Sequence, residues 1–158
     1  MEITLASFCA VAVTGLILLN VVTRAFNASI YWVDEAAIYA MVWMCFLAAS
    51  AALHDRSAVS VTIIRDLIGP KNQALLAKIV DLTVLAFALA LLYFTYRWLL
   101  PLDLMQAGFN FETFQGATFN FVYAEPTTTL GIRKIWVWSV LPLFVFGALL
   151  HATANLTK

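Results

Sequence analysis

Charge is scarce in this chain. Lys, Arg, Asp and Glu make up 11% of its 158 residues, against about 25% in an ordinary soluble domain. The nine basic and nine acidic residues cancel, so no basic field attracts nucleic acid. Cysteine is limited to Cys9 and Cys45, both inside apolar runs and neither part of a C-x-x-C pair. That excludes a disulfide framework and thiol-exchange chemistry, and leaves the two as small apolar fillers. There is no H-E-x-x-H, no glycine-rich phosphate loop, and no nucleophile with a His and a carboxylate in hand. Hydrolysis and nucleotide chemistry are therefore not expected, and no catalytic, cofactor or metal residue is assigned. No basic residue precedes the first apolar run and no small-x-small cleavage site follows it, so that run reads as a retained helix, not a leader.

What the chain has in excess is apolar surface. Hydrophobic residues make up 63% and the mean hydropathy is +0.91. A chain this short cannot hide so much in one soluble core, so its main solvent is lipid. Four stretches approach the roughly 20 residues a helix needs to cross a bilayer core about 30 Å thick. They run over about 3–23, 36–53, 79–96 and 135–151, the last with Pro142 inside it. Each must be helical, because lipid offers no partner for backbone polar groups. The expected fold is an all-α integral membrane protein, one domain over 1–158.

Two connections stand out. Between the second and third runs, Val59, Val61, Ile63, Ile64, Leu67 and Ile68 give a polar segment an apolar side. A short helix at about 59–69, lying in the interface, fits that pattern. Between the third and fourth runs, about 101–130 is long for a loop with no role. Phe-Asn-Phe occurs in it twice, at 109–111 and 119–121, which points to a folded aromatic lid. Four crossings place both termini on one side. That side carries the cluster Arg56, Arg65, Lys71 and Lys78, which leans toward cytoplasmic termini under the positive-inside rule. Trp32, Tyr93, Tyr96, Trp98 and Trp136 would then form an aromatic belt on the outer side.

The few charges near the membrane are the candidate functional residues. Arg24 ends the first run, and Asp34 and Glu35 open the second, so opposite charges converge at one interface. Each also suits its helix end, anions at the N-terminus and cations at the C-terminus. Trp32 and Glu35 share a helix face at i, i+3. The expectation is a clamp of Arg24 on Glu35, helped by Asp34, with Trp32 beside it. Asp81 is the charge deepest in a run, with Lys78 one turn before it; intramembrane carboxylates are functional suspects. Asp81, Glu112 and Glu125 are candidate partner contacts. His54 and His151 end the second and fourth runs on one side. Two imidazoles at one interface are the elements of a haem site, so a small electron-carrying membrane protein is the competing reading. Nothing suggests an internal repeat with matched broken helices around a midplane site, as a self-sufficient transporter would have. The chain reads instead as an accessory subunit.

Asn20-Val21-x-x-Arg24, then Trp32-x-x-Glu35, then an uncharged second helix, resembles the small membrane subunit of tripartite ATP-independent periplasmic (TRAP) transporters. LGIRKIWVWSVLP at 130–142 is similar to elements near the end of such subunits, although Arg133 stands where that family often has proline. The resemblance implies four helices in the bacterial inner membrane with both termini cytoplasmic. It implies a large multi-pass partner that moves the solute, an organic acid or sulfonate, by an elevator-like motion. Sodium coupling would lie in that partner, with no cofactor in this chain. A periplasmic substrate-binding protein delivers the solute. The small subunit is then a non-catalytic scaffold, with Arg24, Trp32 and Glu35 as structural residues.

Overall fold

A computed structural model describes residues 2–54 and 70–157. The flat segment expected at 59–69 lies outside the described residues. Among the described residues the helices are α1 (Glu2–Ala25), α2 (Tyr31–His54), α3 (Pro70–Leu99), α4 (Pro101–Gln106), α5 (Phe111–Thr118), α6 (Ile135–Trp138) and α7 (Val140–Leu156). Four stretches among the described residues are long and apolar enough to cross a membrane: Glu2–Ala25, Tyr31–His54, Asn72–Gln106 and Ile135–Leu156.

The boundaries have local causes. α1 carries Glu2 in its first turn and Arg24 in its last, each complementing the helix dipole. It stops because Asn27 takes the left-handed conformation, φ 54°. The Asn27 N–H then bonds the Arg24 carbonyl at 3.0 Å and the Ala28 N–H bonds the Thr23 carbonyl at 2.9 Å. This is the Schellman pattern, with Asn in the place glycine usually takes. α3 begins at Pro70, not near Ile79. Hydropathy marks only the part of a helix that lies in lipid, whereas Gln, Ala, Leu and Lys propagate helix equally well beyond it. Leu100 ends α3 with φ 45°, since the following Pro101 disfavours a right-handed helical residue before it. The last span is divided at Ser139. Pro142 has no N–H for the Trp138 carbonyl and its ring crowds that carbonyl, so α6 and α7 are separate helices joined end to end.

The long helices pair in the order α1, α2, α7, α3. α7 is the innermost, burying Val140, Val145, Ala148, Ala152 and Asn155. Phe46 of α2 packs on Phe144 of α7 with centroids 5.2 Å apart, and Trp43 Nε1 donates to the Val137 carbonyl at 3.0 Å. At the other end of the span, Asn155 Nδ2 donates to the Leu53 carbonyl at 3.0 Å, one of the last-turn carbonyls that a helix leaves unbonded. Large side chains such as Phe8, Val11, Phe87 and Phe94 remain exposed on the outside. Such a surface is stable only in lipid or against another protein.

Candidate functional site

The chain turns from α1 to α2, and from α3 to α6, at the same end of the molecule, here the lid end. At that rim Arg24 Nη2 meets Asp34 Oδ2 at 2.7 Å. Asn20 completes the group: its Nδ2 donates to Asp34 Oδ1 and its Oδ1 accepts from Arg24 Nε at 3.0 Å. Asn20 and Arg24 lie one turn apart on α1, so the amide sits between both charges.

Glu35 is not the partner of Arg24, contrary to the sequence expectation. Its carboxylate accepts the N–H groups of Thr128 at 2.8 Å, Thr129 at 2.6 Å and Leu130 at 3.1 Å, and the Thr129 hydroxyl at 2.5 Å. Tyr39, one turn on, donates its hydroxyl to Glu35 Oε1 at 2.6 Å. Successive backbone N–H groups wrapped round an anion form a nest, and here the anion is the chain's own side chain. One helix residue is rotated from the next by about 100°, so Asp34 and Glu35 serve different partners. Asp34 closes on α1, and Glu35 holds the segment leading into α6. Trp32 is exposed on the first turn of α2.

The segment over 101–130 is a folded lid. Gly108, φ 62°, ends α4 in a second Schellman pattern: Phe109 N–H bonds the Leu104 carbonyl at 3.0 Å and Gly108 N–H that of Met105 at 3.0 Å. Asn110 then caps α5, its side chain accepting from the N–H groups of Glu112 at 3.0 Å and Thr113 at 3.2 Å. Phe114 is 1% exposed and meets the Tyr123 ring edge-on, centroids 5.4 Å apart. Phe111 stacks on the same ring at 5.9 Å. Tyr123 donates to the Leu99 carbonyl at 2.7 Å and Asn120 Nδ2 to the Trp98 carbonyl at 2.7 Å. Those two bonds satisfy orphan carbonyls at the end of α3. Burial raises the Tyr123 pKa, so the phenol keeps its proton for that bond. In both Phe-Asn-Phe units the asparagine is thus the structural residue, while Phe109, Phe119 and Phe121 face outward.

The remaining candidates are separated by the fold. Glu125 is paired with Lys134 Nζ at 2.5 Å, an arrangement the sequence reading did not foresee. Pro126 and Arg133 form an antiparallel bridge, which brings positions 125 and 134 together. Glu112 is exposed and borders an open groove of about 610 Å³ with Asn110, Gln115 and Arg133. The Arg133 guanidinium lies over the Phe111 ring, 4.6 Å from its centroid, a favourable contact for a cation on an aromatic face. Asp81 is buried on α3, roughly 27 Å along the helix from Leu99 at 1.5 Å per residue, and belongs to a different region. At the termini end the His54 and His151 rings touch edge to face, centroids 5.1 Å apart. His151 Nε2 lies 3.2 Å from Glu2 Oε1. Rings in direct contact leave no porphyrin's width between them. Among the described residues, no group of three His, Cys, Asp or Glu side chains could hold a metal ion. Thr128 to Leu130 escaped the sequence reading because backbone N–H groups have no side-chain signature. Gly131, with φ 69°, was the available sign of a special turn.

Residues 13–158 match the family model described as the DctQ component of tripartite ATP-independent periplasmic transporters. The chain is also 38% identical over 71 residues to a TRAP transporter small permease protein of Haemophilus influenzae, a match spanning 44% of each chain. No solved structure matches the chain. With the family model covering nearly its whole length, the chain belongs to the family of the DctQ component of tripartite ATP-independent periplasmic transporters.

Proposed function

We propose that this protein is the fixed scaffold of a sodium-driven solute importer of the bacterial inner membrane, with both termini cytoplasmic. It supports a large multi-pass subunit that carries the solute, an organic acid or sulfonate, and the sodium sites. Its lid faces the periplasm and receives the substrate-binding protein. The observation that supports this reading best is the Glu35 nest. It ties the second helix to the entry of the last, so the rim is braced across the chain. A brace of that kind suits a wall against which another domain moves. The lid also carries exposed aromatic side chains beside charged Glu112 and Arg133, the composition of a protein-docking surface. Glu125, bonded to Lys134, is less available for steering than Glu112.

The test is co-expression with a large subunit and a binding protein. The expected result is stable co-purification of the two membrane subunits, with sodium-dependent uptake that requires both. Glu112→Lys should slow uptake at limiting binding protein, in a salt-dependent manner, and leave the membrane complex intact. Uptake by the large subunit alone at the full rate would refute the scaffold role. Labelling of the lid by an impermeant reagent only from the cytoplasmic side would refute the orientation.

A further inference from the structure

The two Phe-Asn-Phe units of the lid fold alike. The first phenylalanine of each, Phe109 and Phe119, takes the left-handed conformation, φ 60° and 54°. The asparagine side-chain oxygen then accepts the N–H two residues on, Asn110 from Glu112 and Asn120 from Val122, each at 3.0 Å. The two units bracket α5, so this short helix is entered and left through the same kind of turn. An L-residue in the left-handed conformation bears a steric cost that glycine escapes and asparagine tolerates. α1 ends on Asn27 and α4 on Gly108 in that conformation, residues suited to it. Phenylalanine is not suited to it. Nor is either side chain packed firmly in place, since Phe109 is 64% and Phe119 83% exposed.

What holds α5 differs from what holds the segment under it. Among the described residues, no hydrogen bond made by 111–118 reaches beyond 110–120. α5 is seated by rings: Phe111 and Phe114 meet Tyr123, and the Arg133 guanidinium lies over Phe111. The base that carries Tyr123 and Arg133 is fastened by bonds. Asn120 and Tyr123 donate to the last carbonyls of α3, and Lys134 pairs with Glu125. The N–H groups of Thr127 and Lys134 bond the Ile132 and Glu125 carbonyls at 2.7 and 2.9 Å. The 8 residues of α5 are too few for a helix to persist alone in water, so it lasts only while its rings are seated. We propose that α5 is a flap, which leaves the base as one unit about hinges at Phe109 and Phe119 while 120–134 stays in place. Opening releases both left-handed turns and uncovers the Tyr123 ring and the Arg133 guanidinium. The backbone cost at the hinges and the ring contacts beneath α5 oppose each other, and their difference sets how often the flap opens.

The experiment is amide hydrogen exchange of the full chain in nanodiscs, with substitutions at the hinges. Glycine removes the steric cost of the closed turn but also gives the open chain more freedom. Phe119→Gly should therefore slow exchange of the α5 amides, Phe114 among them, by about fivefold, the low end of what that cost converts to. Phe119→Asn should slow it in the same direction. Phe119→Val, β-branched and least able to turn left-handed, should speed it by about fivefold or more. Phe109→Gly should slow the same amides, because two hinges serve one flap. The amides of Ala124, Thr127 and Lys134 in the base should keep their rates throughout. Faster exchange in both Phe119→Gly and Phe119→Val would show that position 119 acts by packing, and would overturn the hinge. Acceleration of the base amides by Phe119→Val to the same degree as α5 would show that the lid moves as one body, and would overturn the flap. Unchanged exchange in every variant would overturn both.

Discussion

Phe114→Ala tests whether the lid is held by its own core or by what surrounds it. Phe114 is the lid's fully buried aromatic, 1% exposed. A buried Phe→Ala change costs about 3–5 kcal/mol, including the cavity left behind. The lid is small and its neighbours can relax, which favours the lower figure of about 3 kcal/mol. Loss of the edge contact with Tyr123, at 5.4 Å, supplies roughly 0.5–1.5 kcal/mol of that. At 1.4 kcal/mol per decade, the population of the open lid should rise roughly a hundredfold. Amide hydrogen exchange of the complex in nanodiscs reads this directly. The amides of Phe114 and Phe119, bonded to the Asn110 and Gln115 carbonyls at 3.0 and 2.9 Å, should exchange faster by about that factor. Those of α1, α2 and α7 should not change. Phe114→Leu keeps most of the volume and should show an intermediate effect. A rise of less than about tenfold for Phe114→Ala would mean that something other than this core holds the lid. Equal acceleration in the spanning helices would mean that the lid does not open as a separate unit.

Further expectations follow from the rim and the helix contacts. Glu35→Ala should speed amide exchange at 128–130 by roughly tenfold or more, with Glu35→Gln only partly protective because its amide has one acceptor oxygen; unchanged protection would show that the nest forms without its anion. The Arg24–Asp34 pair is 62% and 49% exposed, so a double-mutant cycle on thermal unfolding should give a coupling of only about 0.2–1 kcal/mol, and a value well above that would show the pair to be dry. A Cβ at position 147 would lie 2.9 Å from Ser50 Oγ; Ser50 is 3% exposed and its hydroxyl has no hydrogen-bond partner among the described residues. Gly147→Ala should therefore lower the melting temperature alone, and combined with Ser50→Ala should recover it, helped by the roughly 1 kcal/mol that Ala gains over Gly in a helix; additive effects would contradict the contact.

Much of the architecture was legible because run length alone identifies a spanning helix. Pro101 at the start of α4, Asn110 before α5, Gly108 between them and Pro142 after Ser139 are likewise readable signs of helix ends. The order in which helices pack was not readable. α1, α2 and α7 are apolar nearly all round, so periodicity names no packing face. The rim shows the same division. That Arg24, Asp34 and Glu35 converge follows from their places at helix ends. Which acid takes the arginine depends on Thr128 to Leu130, some ninety residues further along, and no local pattern reaches that far. The Glu125–Lys134 pair was hidden for the same reason, since a bridge between Pro126 and Arg133 had to form first.

The Glu35 nest also sets an order of events during synthesis. Arg24 and Asp34 are 10 residues apart, and their pair can close as soon as the first two helices have left the ribosome. Glu35 and its donors are 93 to 95 residues apart. At about 5–20 residues per second, the carboxylate is made roughly 5–20 s before the first amide it will hold. Throughout that interval the Tyr39 hydroxyl is the partner its own helix supplies, and the rest of the carboxylate is hydrated and open to any other donor. The rim is therefore finished last, by the final crossing. A nascent chain arrested before residue 128 would present Arg24, Asp34 and Glu35 together without the backbone N–H groups that hold Glu35 in the finished rim.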